Sequence, residues 1–253
     1  MIPATSGERA SGLVGEGRMA EPEDIVDFIE KDILNKLPLR GKKVLVTAGP
    51  TYEAIDPVRF IGNHSSGKMG FEIAKAAANL GAEVILVSGP SHETVSSSLI
   101  KLIRVTSASQ MYNEAHNYFG NVDIAVLAAA VADYRPKNVA DQKIKKKEAT
   151  FSIELEKTKD ILASLGAIKT KQFLVGFALE TNNELEHAKG KLKAKNLNLI
   201  VLNSLNDKGA GFGGSTNKVT FITNEDQIIA QDLKSKTQVA EDLMNQILKQ
   251  LNA

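Results

Sequence analysis

The chain has 253 residues, with 31 Lys and Arg against 30 Asp and Glu, a formal net charge of +1. That balance gives no global drive toward nucleic acid or an anionic membrane and leaves open only a local anion site. There is no cysteine, which excludes disulfides, thiolate catalysis and Cys-ligated metal centres in this chain.

Hydrophobic residues make up 43% of the chain, so a real core is expected, in one large α/β domain or two small ones. No apolar run approaches the roughly 20 residues of a membrane span. The opening MIPATSGERASG lacks the apolar stretch of a secretory signal, so a cytoplasmic location is expected.

Residues 1–22, rich in Gly, Ser and charge, read as a loop or tail. EPEDIVDFIEKDILNKL then spaces Ile25, Phe28, Ile29, Ile33 and Leu37 by three and four, which predicts a short amphipathic helix. Pro38 and LRGKK end it. A boundary is placed there, between residues 1–37 and a main domain over 38–253.

KKVLVTAG reads as a buried parallel strand, followed by a long polar loop. GKMGFEIAKAAANLGA is a predicted helix closed by Gly81. EVILVSGP and KLIRVT are strands. SASQMYNEAHNYFG is a helix capped by Ser107, and NVDIAVLAAAVADY is a strand with an alanine-rich end. QFLVGFALET, NNELEHAKGKLKAKN and LNLIVLNS continue as strand, helix and strand. KVTFITNEDQIIAQ is a hairpin around Asn224–Gln227, and SKTQVAEDLMNQILKQL is a terminal helix. This alternation predicts an α/β fold, a doubly wound, Rossmann-like, mostly parallel sheet. RPKNVADQKIKKKEATFSIELEK breaks the rhythm. Its alternating Phe151, Ile153 and Leu155 suggest a flap or dimerisation extension.

Ligands of open parallel sheets bind beyond the carboxyl ends of the strands. The loop after the first strand is long for a βα connection and ends in Asn63-His64-Ser65-Ser66-Gly67-Lys68 at a helix start. A helix N-terminus suits phosphate or carboxylate, with Ser65, Ser66, Gly67 and Lys68 as donors. The same residues also fit an ordinary Ser cap with a surface Lys. The motif is neither a Walker A loop nor the GxGxxG fingerprint, and no Tyr-xxx-Lys pair is present, which disfavours an NAD(P)-binding reductase on a similar fold.

Small residues at 128–130 can admit a planar ring, and Asp133 at the strand exit can hold a metal-bound phosphate; tight packing and a turn aspartate account for them equally well. Lys143 precedes Ile144 and the run Lys145–Lys147. The run reads as a solvated face, whereas Lys143 on a flap can neutralise phosphoryl charge. Phe177 and Glu180 mark another strand end, with Lys191 and Lys195 four apart on the next helix. A core Phe and solvated lysines fit that pattern too. His64, His92, His116 and His187 have no ligand spacing.

TAGPTYEAIDPVRFIGNHSSGKMG, LVSGP, AAAVADYRP, KIKK, VGFALET and GAGFG follow one another in this order. Together they resemble the bacterial phosphopantothenoylcysteine synthetases, the ligase half of a bifunctional coenzyme A biosynthesis protein, over roughly residues 38–250. The resemblance implies a homodimer that joins 4′-phosphopantothenate to L-cysteine through an acyl-cytidylate, with CTP as the nucleotide consumed and Mg2+ as the cofactor that accompanies it. It implies that Asn63 handles the acyl-cytidylate and that Lys143 serves the first half-reaction. Leu127, Ala128, Ala129 and Asp133 would contact the nucleotide, as would Lys159, Asp160, Ile161, Leu162, Phe177, Lys191 and Lys195. Asp133 is also the implied metal ligand.

PATSGERASGLVGEGRMAEP is similar to the C-terminal substrate clamp of the partner decarboxylase, with Ser11-Gly12 where that motif carries Cys-Gly. A decarboxylase domain is therefore the implied partner in a full-length protein. FMN is not expected for this chain alone, nor is decarboxylation supported. Two departures stand out. Thr158-Lys159-Asp160-Ile161 replaces Asn-Pro-Asp-Ile, which predicts a looser turn. Leu179 replaces an alanine and is expected to point away from the site. A non-catalytic assembly module is a further alternative, against which Asn63 and Lys143 argue.

Overall fold

Six parallel strands, followed in space by two antiparallel ones, carry the architecture. The computed structural model describes residues 2, 4–8, 12–145, 150–180, 182–204 and 214–252. Ser11, Lys146, Lys147, Thr181 and the GAGFG run at 209–213 lie outside the described residues.

At the N-terminal end, β1 (Thr5–Glu8) pairs antiparallel with β2 (Val14–Arg18). This corrects the loop expected over residues 1–22. The ribbon is held by backbone pairing, with Gly7 opposite Gly15, and presents no alternating apolar face for periodicity to detect. α1 (Pro22–Lys36) follows as expected. Glu23 and Asp24 in its first turn and Lys36 in its last complement the helix dipole.

β3 (Lys43–Ala48) opens the main domain, buried from Val44 to Ala48 because both faces of the sheet are covered. The polar loop after it contains a hairpin of β4 (Tyr52–Ala54) and β5 (Phe60–Gly62), in which the Tyr52 and Phe60 rings stack at 3.9 Å. α2 (Lys68–Asn79), β6 (Glu83–Ser88), β7 (Ile100–Arg104), α3 (Ala108–Phe119) and β8 (Ile124–Leu127) keep the expected alternation. Ser107 and Gln110 form a reciprocal capping box on α3.

β9 (Tyr134–Pro136) and β10 (Leu155–Lys157) then form a short antiparallel ribbon, so Leu155 alone of the predicted alternation lies in a strand. α4 (Ile161–Ile168), β11 (Phe173–Glu180), α5 (Glu184–Ala194) and β12 (Leu199–Ser204) complete the parallel part. β13 (Thr216–Asn217), β14 (Val219–Thr223), β15 (Ile228–Ala230), β16 (Lys234–Ser235) and α6 (Lys236–Leu251) finish the chain. The hairpin expected around Asn224–Gln227 joins β14 to β15.

The main sheet has the order β15-β14-β12-β11-β8-β3-β6-β7. Ranked by chain order, its parallel strands run 3-2-1-4-5-6 in space, the doubly wound order, with the reversal between β3 and β8. Strand alternation sorts the core onto two faces. Val44, Val46, Ile124 and Val126 pack against α2 and α6, while Leu45, Ala125, Leu127 and Leu174 pack against α3, α4 and α5. Among the described residues, no helix is long and apolar enough to cross a membrane.

Candidate active site

The crevice of a doubly wound sheet lies beyond the strand ends at the reversal. Here a cavity of about 770 Å³ sits there, at the ends of β3 and β8. Thr47, Leu127 to Val131, Phe177 to Leu179 and Asn203 form its floor. One wall comes from the starts of α2 and α6. The other comes from the turn before α4 and the last turns of α5.

The first wall depends on close backbone approach. Gly67 enters α2 with a φ of 84°, in the left-handed region. A Cβ on Gly70 would lie 2.6 Å from the Ala48 Cβ, so glycine there lets α2 abut the end of β3. Ser65 Oγ accepts from the Gly67 amide at 3.2 Å, and Ser66 Oγ from the Lys68 amide at 3.4 Å. The hydroxyls thus organise the entry turn, and Ser65, Ser66, Gly67 and Lys68 all line the cavity. Asn63, delivered by β5, donates its amide nitrogen to the carbonyls of Ala130 at 3.0 Å and Val131 at 3.1 Å. This orients the Asn63 amide at the cavity edge. The floor is equally fixed: Thr47 Oγ1 accepts from the Ala129 amide at 3.3 Å, and Thr51 Oγ1 from the Ala132 amide at 3.0 Å.

The second wall is a row of paired charges. Lys191 Nζ lies 2.6 Å from Glu180 Oε1, and Lys195 Nζ lies 2.7 Å from Asp160 Oδ2. Asp160 also caps α4 by accepting from the Ala163 amide at 2.9 Å. Burial works against the Asp160 charge, but Lys195 and the helix amides outweigh it and hold its carboxyl below the ordinary range. In the turn at 158–161, Thr158 donates from Oγ1 to the Ala132 carbonyl at 2.7 Å and from its amide to the Asp133 carbonyl at 2.9 Å, which fixes the start of the turn. Lys159 Nζ sits 4.7 Å from the centre of the Tyr112 ring, a cation–π distance.

The cavity thus gathers Asn63, Ser65, Ser66, Gly67, Lys68, Leu127, Ala128, Ala129, Asp133, Lys159, Asp160, Ile161, Leu162, Phe177, Lys191 and Lys195. Lys143 is exposed and is not among the residues lining it. Its neighbour Ile144 is tethered elsewhere: the Ile144 amide donates to Asp56 at 3.0 Å and its carbonyl accepts from Arg59 at 2.9 Å. Arg59 and three backbone amides hold the buried Asp56 carboxyl well below the usual range, despite burial.

Leu179 corrects an expectation, because it lines the cavity. Strand alternation places it on the same face as Phe177, and that period was readable in GFALE. Lys157, Asn203, Asn217 and Lys236 also line the cavity without having been singled out. Asn203 ends a strand and fits the strand-end rule. Lys236 carries no local signal, since it reads as one more lysine at a helix start. Among the described residues, no group of three or more His, Asp or Glu is placed to hold a metal. Magnesium that arrives on a nucleotide needs only one or two carboxylates beside the phosphates, and Asp133 is a carboxylate that lines the cavity.

A doubly wound sheet with a cation-lined crevice at its reversal defines an α/β protein whose ligand site lies at the strand ends. The sequence matches the family described as DNA/pantothenate metabolism flavoprotein C-terminal domain over residues 39–251, and the chain belongs to that family. It is 51% identical, over 98% of its length and 70% of the relative's, to a cysteine/cysteine sulfinic acid decarboxylase from an unknown prokaryotic organism. It is 45% identical to the coenzyme A biosynthesis bifunctional protein CoaBC of Bacillus subtilis, over 97% of this chain and 61% of that protein. The chain therefore spans about three fifths of that relative's length. The crystal structure of a CoaBC C-terminal domain superimposes with a TM-score of 0.73 at 45% identity, covering 86% of this chain and 99% of that one. These likenesses agree with the resemblance drawn from the order of motifs.

Proposed function

We propose that this chain is a ligase that joins 4′-phosphopantothenate to L-cysteine, with CTP as the activating nucleotide. A single cavity at the sheet reversal, holding Asn63, Asp133, Phe177, two lysines on α5 and the start of α2, carries the reading. Membership of the pantothenate-metabolism family supports it.

In this reading the pantothenate carboxylate oxygen attacks the α-phosphorus of CTP. The α–β anhydride bond breaks and pyrophosphate leaves. The cysteine amine then attacks the acyl carbon of the acyl-cytidylate, the bond to the CMP oxygen breaks, and the amine loses its proton. Carboxylate is a poor acyl donor, and nucleotidylation supplies the leaving group. Cavity lysines offset the phosphate charge in the first step, and a magnesium ion held at Asp133 would add Lewis-acid charge there. The oriented Asn63 amide stands where it can hold the acyl-cytidylate for the second.

Lys143 belongs to the first step, brought to the phosphates by a flap. The exposed Tyr134, Val139, Phe151 and Leu155 along the flap and its ribbon give it an apolar face, which supports a homodimer in which flaps meet. The family match beginning at residue 39 supports a ligase domain over 38–253, with residues 1–37 linking it to a decarboxylase domain.

Pyrophosphate release is the test, measured with each of the four nucleoside triphosphates, with phosphopantothenate present or withheld, and with and without cysteine. CTP-specific release that needs phosphopantothenate is expected. Lys143→Gln should abolish release, and Asn63→Asp should let acyl-cytidylate accumulate. Tight NADPH binding, or carbon dioxide release from cysteine without nucleotide consumption, would overturn the reading.

A further inference from the structure

Two asparagines line the cavity, Asn203 near the end of β12 and Asn217 in β13. Asn217 is only 3% exposed, and the Lys218 amide donates to its Oδ1 at 3.1 Å. A backbone N–H must face an oxygen, so this bond decides which way round the Asn217 amide lies. Its Nδ2 then donates to Asn203 Oδ1 at 3.2 Å. The Asn203 amide is fixed in turn: Oδ1 faces Asn217, and Nδ2 is the limb left for the cavity. Among the described residues, nothing accepts a hydrogen bond from Asn203 Nδ2.

Backbone pairing holds both ends of this relay. Asn203 lies between Leu179 of β11 and Val219 of β14, and Asn217 pairs with Lys234 of β16. Val201 and Phe177 pack on the core face toward α2 and α6, whereas Leu202 and Ala178 pack on the other. Alternation therefore puts Asn203, Leu179 and Phe177 on one face. One strand spacing of about 5 Å and two residues of about 3.3 Å each place Asn203 roughly 8 Å from Phe177, a span that one nucleoside bridges. Charged donors match phosphate oxygens best, whereas a neutral amide donor suits a neutral hydroxyl or carbonyl oxygen.

Resting on the ligase reading above, in which Phe177 contacts the nucleotide, we infer that Asn217 is a positioning residue that turns the Asn203 amide so that Nδ2 donates to a hydroxyl or carbonyl oxygen of the nucleoside.

The test compares Asn217→Asp with Asn217→Ala. The first keeps the shape and the acceptor for Lys218 but sets an acceptor against Asn203 Oδ1. The Asn203 amide then turns over and presents an oxygen to the cavity. The second removes the orienting donor and leaves the amide to turn either way. KM for CTP should rise about tenfold in Asn217→Asp and about twofold to threefold in Asn217→Ala, with KM for phosphopantothenate within about twofold of the parent in both. Affinity for CMP, which lacks the β- and γ-phosphates, should fall in the same proportions by calorimetry on the full chain. A merely structural role predicts the opposite order, because Asn217→Ala removes more packing, and thermal melts of both variants show that order directly. In the Asn203→Ala background, Asn217→Asp should add less than about twofold, since no amide remains to turn. With 2′-deoxy-CTP the Asn217→Asp effect shrinks if the acceptor is the ribose 2′-hydroxyl and persists if it is elsewhere on the nucleoside. Full additivity with Asn203→Ala would overturn the inference and assign the loss to the new carboxylate's own charge. So would a loss confined to phosphopantothenate, or CMP affinity that stays at the parent value. Should neither Asn217 variant fold, Asn203→Ala at the half-buried partner reads the same donor, and a KM for CTP within about twofold of the parent overturns the inference. Calorimetry needs no turnover, so a chain whose CMP affinity follows this pattern but that makes no phosphopantothenoylcysteine refutes the ligase reading alone. An active chain indifferent to Asn217→Asp refutes the relay alone.

Discussion

Glu180 illustrates how single residues set the balance of charge in the cavity. Its side chain is 13% exposed and faces Lys191 at 2.6 Å, so any polyphosphate reaching Lys191 must compete with a carboxylate. Glu180→Gln removes that competition, and KM for CTP should fall about threefold, in line with the modest worth of a partly exposed pair. Asp56 acts through position instead. It accepts from Ile144 and Arg59, and so holds the segment that carries Lys143. Asp56→Ala should lower kcat for pyrophosphate release while leaving calorimetric CTP binding near the parent value. The Asp56 carboxyl is depressed in the folded chain, chiefly by Arg59. Its stabilisation is thus fully present above the ordinary carboxylate value of about 3.9 and is lost as pH falls through the lower folded value. Melting temperature followed from about pH 5 to about pH 2 should fall less steeply in Asp56→Asn than in the parent. At this scale, Asn63 and the serines were legible because a long loop ending at a helix start is an unusual local pattern. Lys236 was not, because nothing within a few residues of it distinguishes it from a surface lysine.

Among the elements, the packing of α4 against the end of α5 decides where Lys195 sits. A Cβ on Gly166 would lie 1.9 Å from the Lys195 carbonyl oxygen, a contact that no side-chain adjustment relieves. Gly166→Ala should push the two elements apart. It should cost about 1–3 kcal/mol in denaturant unfolding and raise KM for CTP, because Lys195 moves away from Asp160. The buried strands were readable as β-branched runs, and the helix over 68–79 as an alanine-rich one. β1, β2, β4 and β5 were not, since three- to five-residue ribbons are held by backbone pairing and turn geometry rather than by a periodic apolar face. Leu179 departs from its expected direction for a different reason: the alternation of β11 puts it on the cavity face beside Phe177.

In the molecule as a whole, the two core faces belong to the main domain, and the N-terminal elements stand outside them. β1 and β2 pair only with each other among the described strands, and Val26, Ile29 and Ile33 of α1 are exposed. Deleting residues 1–36 should shift the melting temperature by no more than about 4 °C and leave CTP-dependent pyrophosphate release intact. Loss of folding on deletion would show that the boundary is misplaced. By itself the sequence determined the α/β alternation, the absence of thiol chemistry, the family likeness and most of the residues around the crevice, because each of these is written in local period, composition or contiguous motif. Only the tertiary structure decided that α6, at the far end of the chain, begins beside α2, that the α5 lysines are held by Glu180 and Asp160, and that Lys143 lies off the cavity wall. Those facts depend on the order in which strands lie in the sheet and on which helices share a face. Strand order is fixed by pairing between distant segments such as Val44 with Ile124, and the placement of α6 by contacts such as Thr237 with Glu72, and no local pattern encodes either.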